Sequence, residues 1–422
     1  MIQSDLGQVA RRATSQDSPG RCSVLPSLDP NCITEFSSAI AELRNWIESR
    51  AFTGFEPFDL LNSRLLQWRW LRTPPISYLL IQTGKRYGSS GLRRMLQVPP
   101  SRNPKALALI LSAYCDLISL GEDCTAIAYE VKGILKKLRS PGEDDFCWGY
   151  DWDYISLRGT RLPAFAMNAV STAFCAQSLV DLGETTGDQE AFSMARSAAA
   201  SMVNRLNRYE QEAKLCFSYT PTDHSRILNS SALTAALLAR VGKAECNPAY
   251  RELAKRAMNY LVSMQRPDGS WFYGDSRRQR WIDSFHTGYN LCALLQYREI
   301  SSDNSVDSAI ESGYTFYKRN FFLSDHTPKY AFNHIYPIDI HACAHAILCF
   351  ATFAPLDDTA LNRAHEVARW TLRHMRNPDG SFYFQKHRLW TNRTPYIRWG
   401  QAWMLHALSR LQVALCSRKN RP

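Results

Sequence analysis

The turn Pro267-Asp-Gly-Ser-Trp271 recurs as Pro378-Asp-Gly-Ser-Phe382, with the two aspartates, Asp268 and Asp379, 111 residues apart. Self-similarity of this kind marks stacked copies of one supersecondary unit, and no other feature restricts the fold as strongly. An amphipathic stretch precedes each turn, at 250–264 and 361–375. Aromatic residues, a polar loop and a further helix start follow each turn. Weaker copies are led by Trp148, Phe217 and Tyr330, so the leading aromatics (148, 217, 271, 330, 382) are spaced by 69, 54, 59 and 52 residues. That is too long for a tetratricopeptide or ankyrin unit and suits an outer helix, a loop, an inner helix and a return.

An amphipathic helix buries one stripe, whereas a helix apolar all round, as at 291–297 or 344–351, must be enclosed. Two concentric rings satisfy both patterns. Residues 62–120 supply a sixth unit, because Pro99-Pro100 and Asn103-Pro104 bracket another helix start. The expectation is an all-α (α/α)6 toroid of helical hairpins, one domain over 36–415. A disordered tail at 1–35 and a basic tail at 416–422 flank it. Inner helices are predicted near 164–182, 229–240, 287–297, 341–353 and 400–411.

A hydrophobic content of 45% over 422 residues is ample for one large core. No apolar run reaches bilayer-spanning length, and Met1 to Cys32 is polar without a signal-peptide core, which points to the cytoplasm. The 12 cysteines are scattered and form no CxxC, as free thiols in a reducing compartment would be. The net charge of +11 favours an anionic partner. Nucleic acid, a membrane face and an acidic polysaccharide all meet that condition on charge alone.

In such a ring the loop before each inner helix opens on one rim. Those loops carry acid–base groups, arginines and aromatics from distant parts of the chain. Asp283, His286, Asp339, His341 and Asp153 are the catalytic candidates. Trp148, Tyr150, Arg161, Tyr219, His224, Arg226, Trp271, Trp281, Tyr289, Tyr336, Tyr396, Arg398 and Trp399 are the substrate-binding candidates. Each has a plainer reading. Asp223, Asp283 and Asp339 stand just before helices, where aspartate is a good N-cap. His341 and His345, at i and i+4 with Asp339 nearby, have metal-ligand spacing, but pore-facing or core histidines are the favoured account. Gln265-x3-Gly-x-Trp271 ties a turn to its neighbouring helix. Neither a metal nor another cofactor is expected.

The chemistry these groups can perform is proton transfer, with arginine holding a carboxylate and aromatic faces holding sugar rings. An acidic, uronate-containing glycan fits, through hydrolysis, β-elimination or C5 epimerisation. The last two need a base, an acid and a cation. A non-catalytic glycan-binding toroid and a terpene or prenyl cyclase are the competing readings, and nucleic acid is not expected as a partner.

Several segments carry a resemblance: Gly54-Phe-Glu-Pro-Phe-Asp59 with Leu61-Asn-Ser63, Phe217 to Arg226, Trp281 to Gly288, Tyr336 to His341 and Arg398 to Trp403. Together they resemble a bacterial family found with surface-polysaccharide biosynthesis genes, over about residues 50–412. Arg398-Trp-Gly-Gln-Ala-Trp403 is similar to the Arg-Gly-Gln-Ala-Trp stretch of unsaturated glucuronyl hydrolases, with Trp399 inserted. Those enzymes are (α/α)6 barrels in which an aspartate protonates a vinyl ether and activates water; Asp283 and Asp153 are the matching candidates here. The Gln-x3-Gly-x-Trp turn, with Asp151-Trp-Asp153, is similar to motifs of squalene–hopene-type cyclases.

Overall fold

The computed structural model describes residues 30–155 and 161–419. Fourteen helices follow one another among these residues. They are α1 (Pro30–Glu48), α2 (Pro74–Tyr87), α3 (Ser90–Met95), α4 (Pro104–Ser119), α5 (Thr125–Lys137), α6 (Ala169–Thr186) and α7 (Gln189–Arg205). Then come α8 (Leu228–Ala244), α9 (Pro248–Ser263), α10 (Ser284–Ser301), α11 (Asp307–Asn320), α12 (Ile340–Phe353), α13 (Ala360–His374) and α14 (Ala402–Lys419). The inner ring runs α4, α6, α8, α10, α12, α14, and α14 packs back on α4 to close it. The outer helices α5, α7, α9, α11 and α13 each lie on the inner helix before them, and α1 covers α14. The strands are short antiparallel ladders in the loops, the longest pairing Arg208–Gln211 with Lys214–Phe217. This is the (α/α)6 toroid expected from the repeats.

The predicted inner helices are present, with boundaries moved by a few residues. The first starts at Ala169 rather than 164, because Asn168 caps it by accepting a bond from Ser171 N at 2.8 Å. Asn103, Asp283 and Asp339 do the same for α4, α10 and α12, satisfying donors that the first turn leaves unpaired. Residues 1–29 of the expected tail lie outside the described residues, and α1 begins at Pro30, inside the span given to that tail. The basic C-terminal residues up to Lys419 continue α14. All ten cysteines with described side chains are unpaired, seven of them buried. No described helix is long and apolar enough to cross a membrane.

The sequence echo is also a structural one. In each Pro-Asp-Gly-Ser turn the aspartate Oδ1 accepts the serine N–H at 3.1 Å and the serine Oγ–H at 2.6 Å. Gly269 and Gly380 sit at φ +86 and +83. The Gln265 amide donates to Gly269 O at 3.0 Å and to Ala309 O of α11 at 2.9 Å, so this motif fastens the turn to the next outer helix. A Cβ on Gly269 would run into the Ser312 carbonyl, whereas one on Gly121, at φ +87, meets nothing. Gly269→Ala is therefore expected to lower unfolding stability by about 2–5 kcal/mol, the left-handed penalty plus the cost of the clash. Gly121→Ala should cost only the left-handed penalty of about 1–2 kcal/mol. Parallel denaturant titrations check both, and equal losses would contradict the packing account.

Candidate functional site

Loops preceding all six inner helices converge on one cavity of about 570 Å³. Phe58 and Lys85 come from the segment before α4, Tyr150 and Trp152 precede α6, and Tyr219 and Asp223 precede α8. Tyr273 and Trp281 precede α10, Tyr330 precedes α12, and Arg398 and Trp399 precede α14. The inner helices add Lys105, Phe285, His286, Tyr289 and His341.

Aromatic rings form the walls. Tyr150 stacks on Trp152 at 4.5 Å between centroids, and Tyr273 stacks on Trp281 at 4.4 Å. Tyr150 and Tyr219 join through their hydroxyls at 2.7 Å. Trp281, 44% exposed, stands at the mouth.

Two imidazoles reach the cavity. Asp283 Oδ1 accepts the His286 N–H at 2.9 Å as the helix cap, and its Oδ2 lies 2.7 Å from His286 Nδ1 and 3.1 Å from Trp281 Nε1. The one carboxylate of Asp283 therefore serves as the expected N-cap and also holds the His286 ring. An ionised carboxylate only accepts, so Nδ1 carries the proton and Nε2 is left as the basic nitrogen. His341 is fully enclosed, and burial together with Lys105 pushes its pKa well down, so it is neutral. Lys105 Nζ donates to Tyr289 Oη at 3.3 Å, and that phenol lies 2.7 Å from His341 Nε2. Hydrogen bonds thus link an amine, a phenol and an imidazole along the floor.

Lys105 is buried in a cage of Phe174, Tyr289 and Trp403 rings, 4.3–5.2 Å from their centroids. Among the described residues no carboxylate lies within ion-pair distance of it. Burial, and then the charge of Arg398, depress its pKa well below the usual lysine range. Arg398 is ion-paired. Its Nε donates to Glu56 Oε2 at 3.0 Å, its backbone N–H donates to Oε1 at 3.1 Å, and Nη2 lies 2.9 Å from Oε2. Burial pushes the Glu56 carboxyl up, and Arg398 opposes that push.

Residues 397–401, which carry Arg398 and Trp399, form a π turn: Gln401 N bonds Tyr396 O at 3.2 Å, five residues back. The Trp399 indole then donates to Asp339 Oδ1 at 2.9 Å.

Of the sequence candidates, His286, His341, Tyr150, Tyr219, Trp281, Tyr289, Arg398 and Trp399 line the cavity, and Asp283 stands directly behind His286. Asp339 does not line it. Its oxygens accept hydrogen bonds from the Trp399 indole, from Gln385 at 2.6 Å and from the His341 N–H. Asp153 caps the Ala164 N–H at 3.0 Å and faces Arg72. His224 is exposed away from the cavity, and Arg226 pairs with Asp275 at 2.6 Å. Tyr336 lies in a neighbouring hollow with Arg388 and Trp390.

Trp148, Trp271 and Tyr396 belong to the core rather than the rim. The indoles of Trp148 and Trp271 donate to Leu135 O and Leu261 O, near the C-terminal ends of α5 and α9. A repeat's leading tryptophan thus seals an outer helix. The side chain of Arg161 lies outside the described residues. Asp151, half of the cyclase-like pair, is buried against Ser101 and Asn103. Lys85, Lys105 and Glu56 were not singled out from sequence. The clue available was a lysine and a glutamate in otherwise apolar or aromatic surroundings, Asn-Pro-Lys105-Ala-Leu and Phe-Glu56-Pro-Phe.

This architecture defines a class, the (α/α)6 toroids. No family model matches the sequence, and no curated protein does. Solved structures do share the fold. Cellobiose 2-epimerase from Spirochaeta thermophila DSM 6192 matches with TM-score 0.63 at 12% identity, over 94% of this chain and 100% of that one. An unsaturated glucuronyl hydrolase specific for heparin matches with TM-score 0.61 at 14% identity, over 90% and 96%. A GH76 α-mannanase from Bacteroides thetaiotaomicron matches with TM-score 0.58 at 13% identity, over 76% and 88%. These named neighbours are sugar epimerases and glycoside hydrolases. At such identities the likeness establishes the fold.

Proposed function

We propose that this toroid is a carbohydrate-active enzyme that moves a proton at carbon on an acidic, uronate-containing glycan, by C5 epimerisation or β-elimination. The observation that carries the reading is the make-up of the cavity lining: two histidines, two lysines and an arginine against one carboxylate. That carboxylate, Asp223, is engaged by the backbone N–H and hydroxyl groups of both Thr220 and Ser225 at 2.6–2.9 Å. Hydrolysis by the usual route takes two free carboxyl groups flanking the bond. Proton abstraction next to a carboxylate takes a base and a cationic group, and the histidines, lysines and Arg398 of the lining support that chemistry.

In this reading His286 Nε2 takes the C5 proton. A sugar carboxylate beside Lys105 favours that lysine's protonated form, and Lys105 or Arg398 offsets the charge that develops there. The Tyr289–His341 pair or the Tyr150–Tyr219 pair returns a proton. The aromatic walls hold the rings, and the neighbours' action on carbohydrates supports the assignment. The resemblance noted in the sequence supports a substrate in surface-polysaccharide metabolism.

The test is incubation with uronate oligosaccharides in D2O, followed by NMR. Deuterium entering C5, or an unsaturated C4–C5 product, supports the reading. Release of reducing ends without C5 exchange replaces it with hydrolysis, and binding without any turnover replaces it with a glycan-binding toroid.

Lys105→Met keeps the volume and suits the aromatic cage. Losing a charged hydrogen bond of about 1.5–3 kcal/mol should weaken acidic-glycan binding by about 10–100-fold. Binding of a neutral glycan of equal length should hold. Calorimetric titration of both ligands distinguishes this from a packing effect, which would weaken the two alike.

A further inference from the structure

Helix α2 packs a narrow face inward, Ser77, Ile81 and Gly84 with Leu80 beside Ile81, and leaves a second apolar face outside: Ile76, Leu79, Thr83, Arg86 and Tyr87 point to solvent. Leu79 is 66% exposed and Tyr87 61%. A surface helix ordinarily buries its large apolar side chains and exposes its small and polar ones. The turn leading into α2 continues the pattern: Trp68 is 64% exposed and Trp70 54%, with their rings 5.9 Å apart. At the other end Tyr87 stacks on Trp390, next to the fully projecting Leu389.

Charge is as lopsided as hydropathy. From Leu60 to Cys115 there is no aspartate or glutamate, while Arg64, Arg69, Arg72, Lys85, Arg86, Arg93 and Arg94 fall within 31 residues. Arg64, Arg69 and Arg86 make no ion pair with any described residue. Exposed indoles and aliphatics set among unpaired arginines are the composition of a surface that enters a bilayer interface. The rings seat at headgroup depth and the guanidinium groups meet anionic lipid.

We infer that residues 64–87, together with Leu389 and Trp390, form a docking face for an anionic membrane surface. The excess of arginine argues against a second copy of the chain, since a twofold contact would set one arginine-bearing face, without a carboxylate of its own between Leu60 and Cys115, against another. It argues equally against a purely apolar partner. Lys85, on the same helix, lines the cavity, so docking brings the cavity mouth close to the lipid and presents it to a membrane-tethered chain. The docking inference stands on this face alone and does not depend on the sugar chemistry.

The test is co-sedimentation of the full chain with phosphatidylglycerol-containing vesicles and with phosphatidylcholine vesicles. Binding to the anionic vesicles that weakens as salt rises is expected. Trp68→Ser with Trp70→Ser, and separately Arg69→Glu with Arg86→Glu, should each lower partitioning at least tenfold with the circular dichroism spectrum unchanged. These side chains are exposed, so the fold does not rest on them. Turnover of a soluble oligosaccharide should be unaffected, which separates failure of docking from failure of the catalytic reading. The inference is overturned if the full chain ignores anionic vesicles, if both double variants bind as well as wild type, or if the tryptophan pair instead controls dimer formation.

Discussion

Asp283→Asn is expected to lower turnover of an acidic glycan by about three to four orders of magnitude while leaving the melting temperature near that of the wild type. The reason lies in the two oxygens of one side chain. Oδ1 caps α10, and an asparagine oxygen caps equally well. Oδ2 accepts hydrogen bonds from His286 Nδ1–H and Trp281 Nε1–H, and an amide nitrogen in its place can only donate. His286 must then accept at Nδ1 and carry its proton at Nε2, where the base is required. His286→Gln removes the base outright and should fall at least as far. Steady-state kinetics beside thermal unfolding settle the matter. Near-full activity in both variants would remove this pair from the mechanism and make the Tyr289–His341 pair the next to change.

The second large effect concerns stability. Glu56→Ala leaves the Arg398 guanidinium buried without its counter-charge, and breaking one half of such a pair costs about 3–5 kcal/mol. Chemical denaturation should show a lower midpoint, and activity should fall as well because Arg398 is no longer held over Tyr150 and Trp152. Replacing both partners together, Glu56→Gln with Arg398→Met, should recover much of the stability and none of the activity. If Glu56→Ala unfolds like the wild type, the pair is not the anchor described here.

The fold was legible in the sequence because its repeat is punctuated by residues with a fixed local job. The Pro-Asp-Gly turn needs glycine for its positive φ, and aspartate to bond the following serine. Legibility of the site was uneven for the same reason. Asp283 and His286 could be read because three residues of helix put them on one side of its mouth. Trp148 and Trp271 misled, since their place in the repeat is that of a seal on an outer helix and their aromaticity advertised a sugar platform. Lys105 was hidden. A lysine in the first turn of a helix ordinarily reaches water, and only closure of the whole ring surrounds it with Phe174, Tyr289 and Trp403. Glu56 was hidden too, because its partner lies 342 residues away.

The π turn at 397–401 has a consequence for how this chain could have come by its cavity wall. One residue added to a continuous helix rotates everything beyond it by about 100°, which would pull Trp403 and Leu405 out of the core. A single wide turn confines the addition, so the helix beyond keeps its register and the extra side chain is extruded sideways. Trp399 stands where such an extrusion would place it, between Phe285 and Phe58 and anchored to Asp339. A toroid of this kind can acquire a new wall for its pore by one inserted codon, without renegotiating the packing of the helix that carries it.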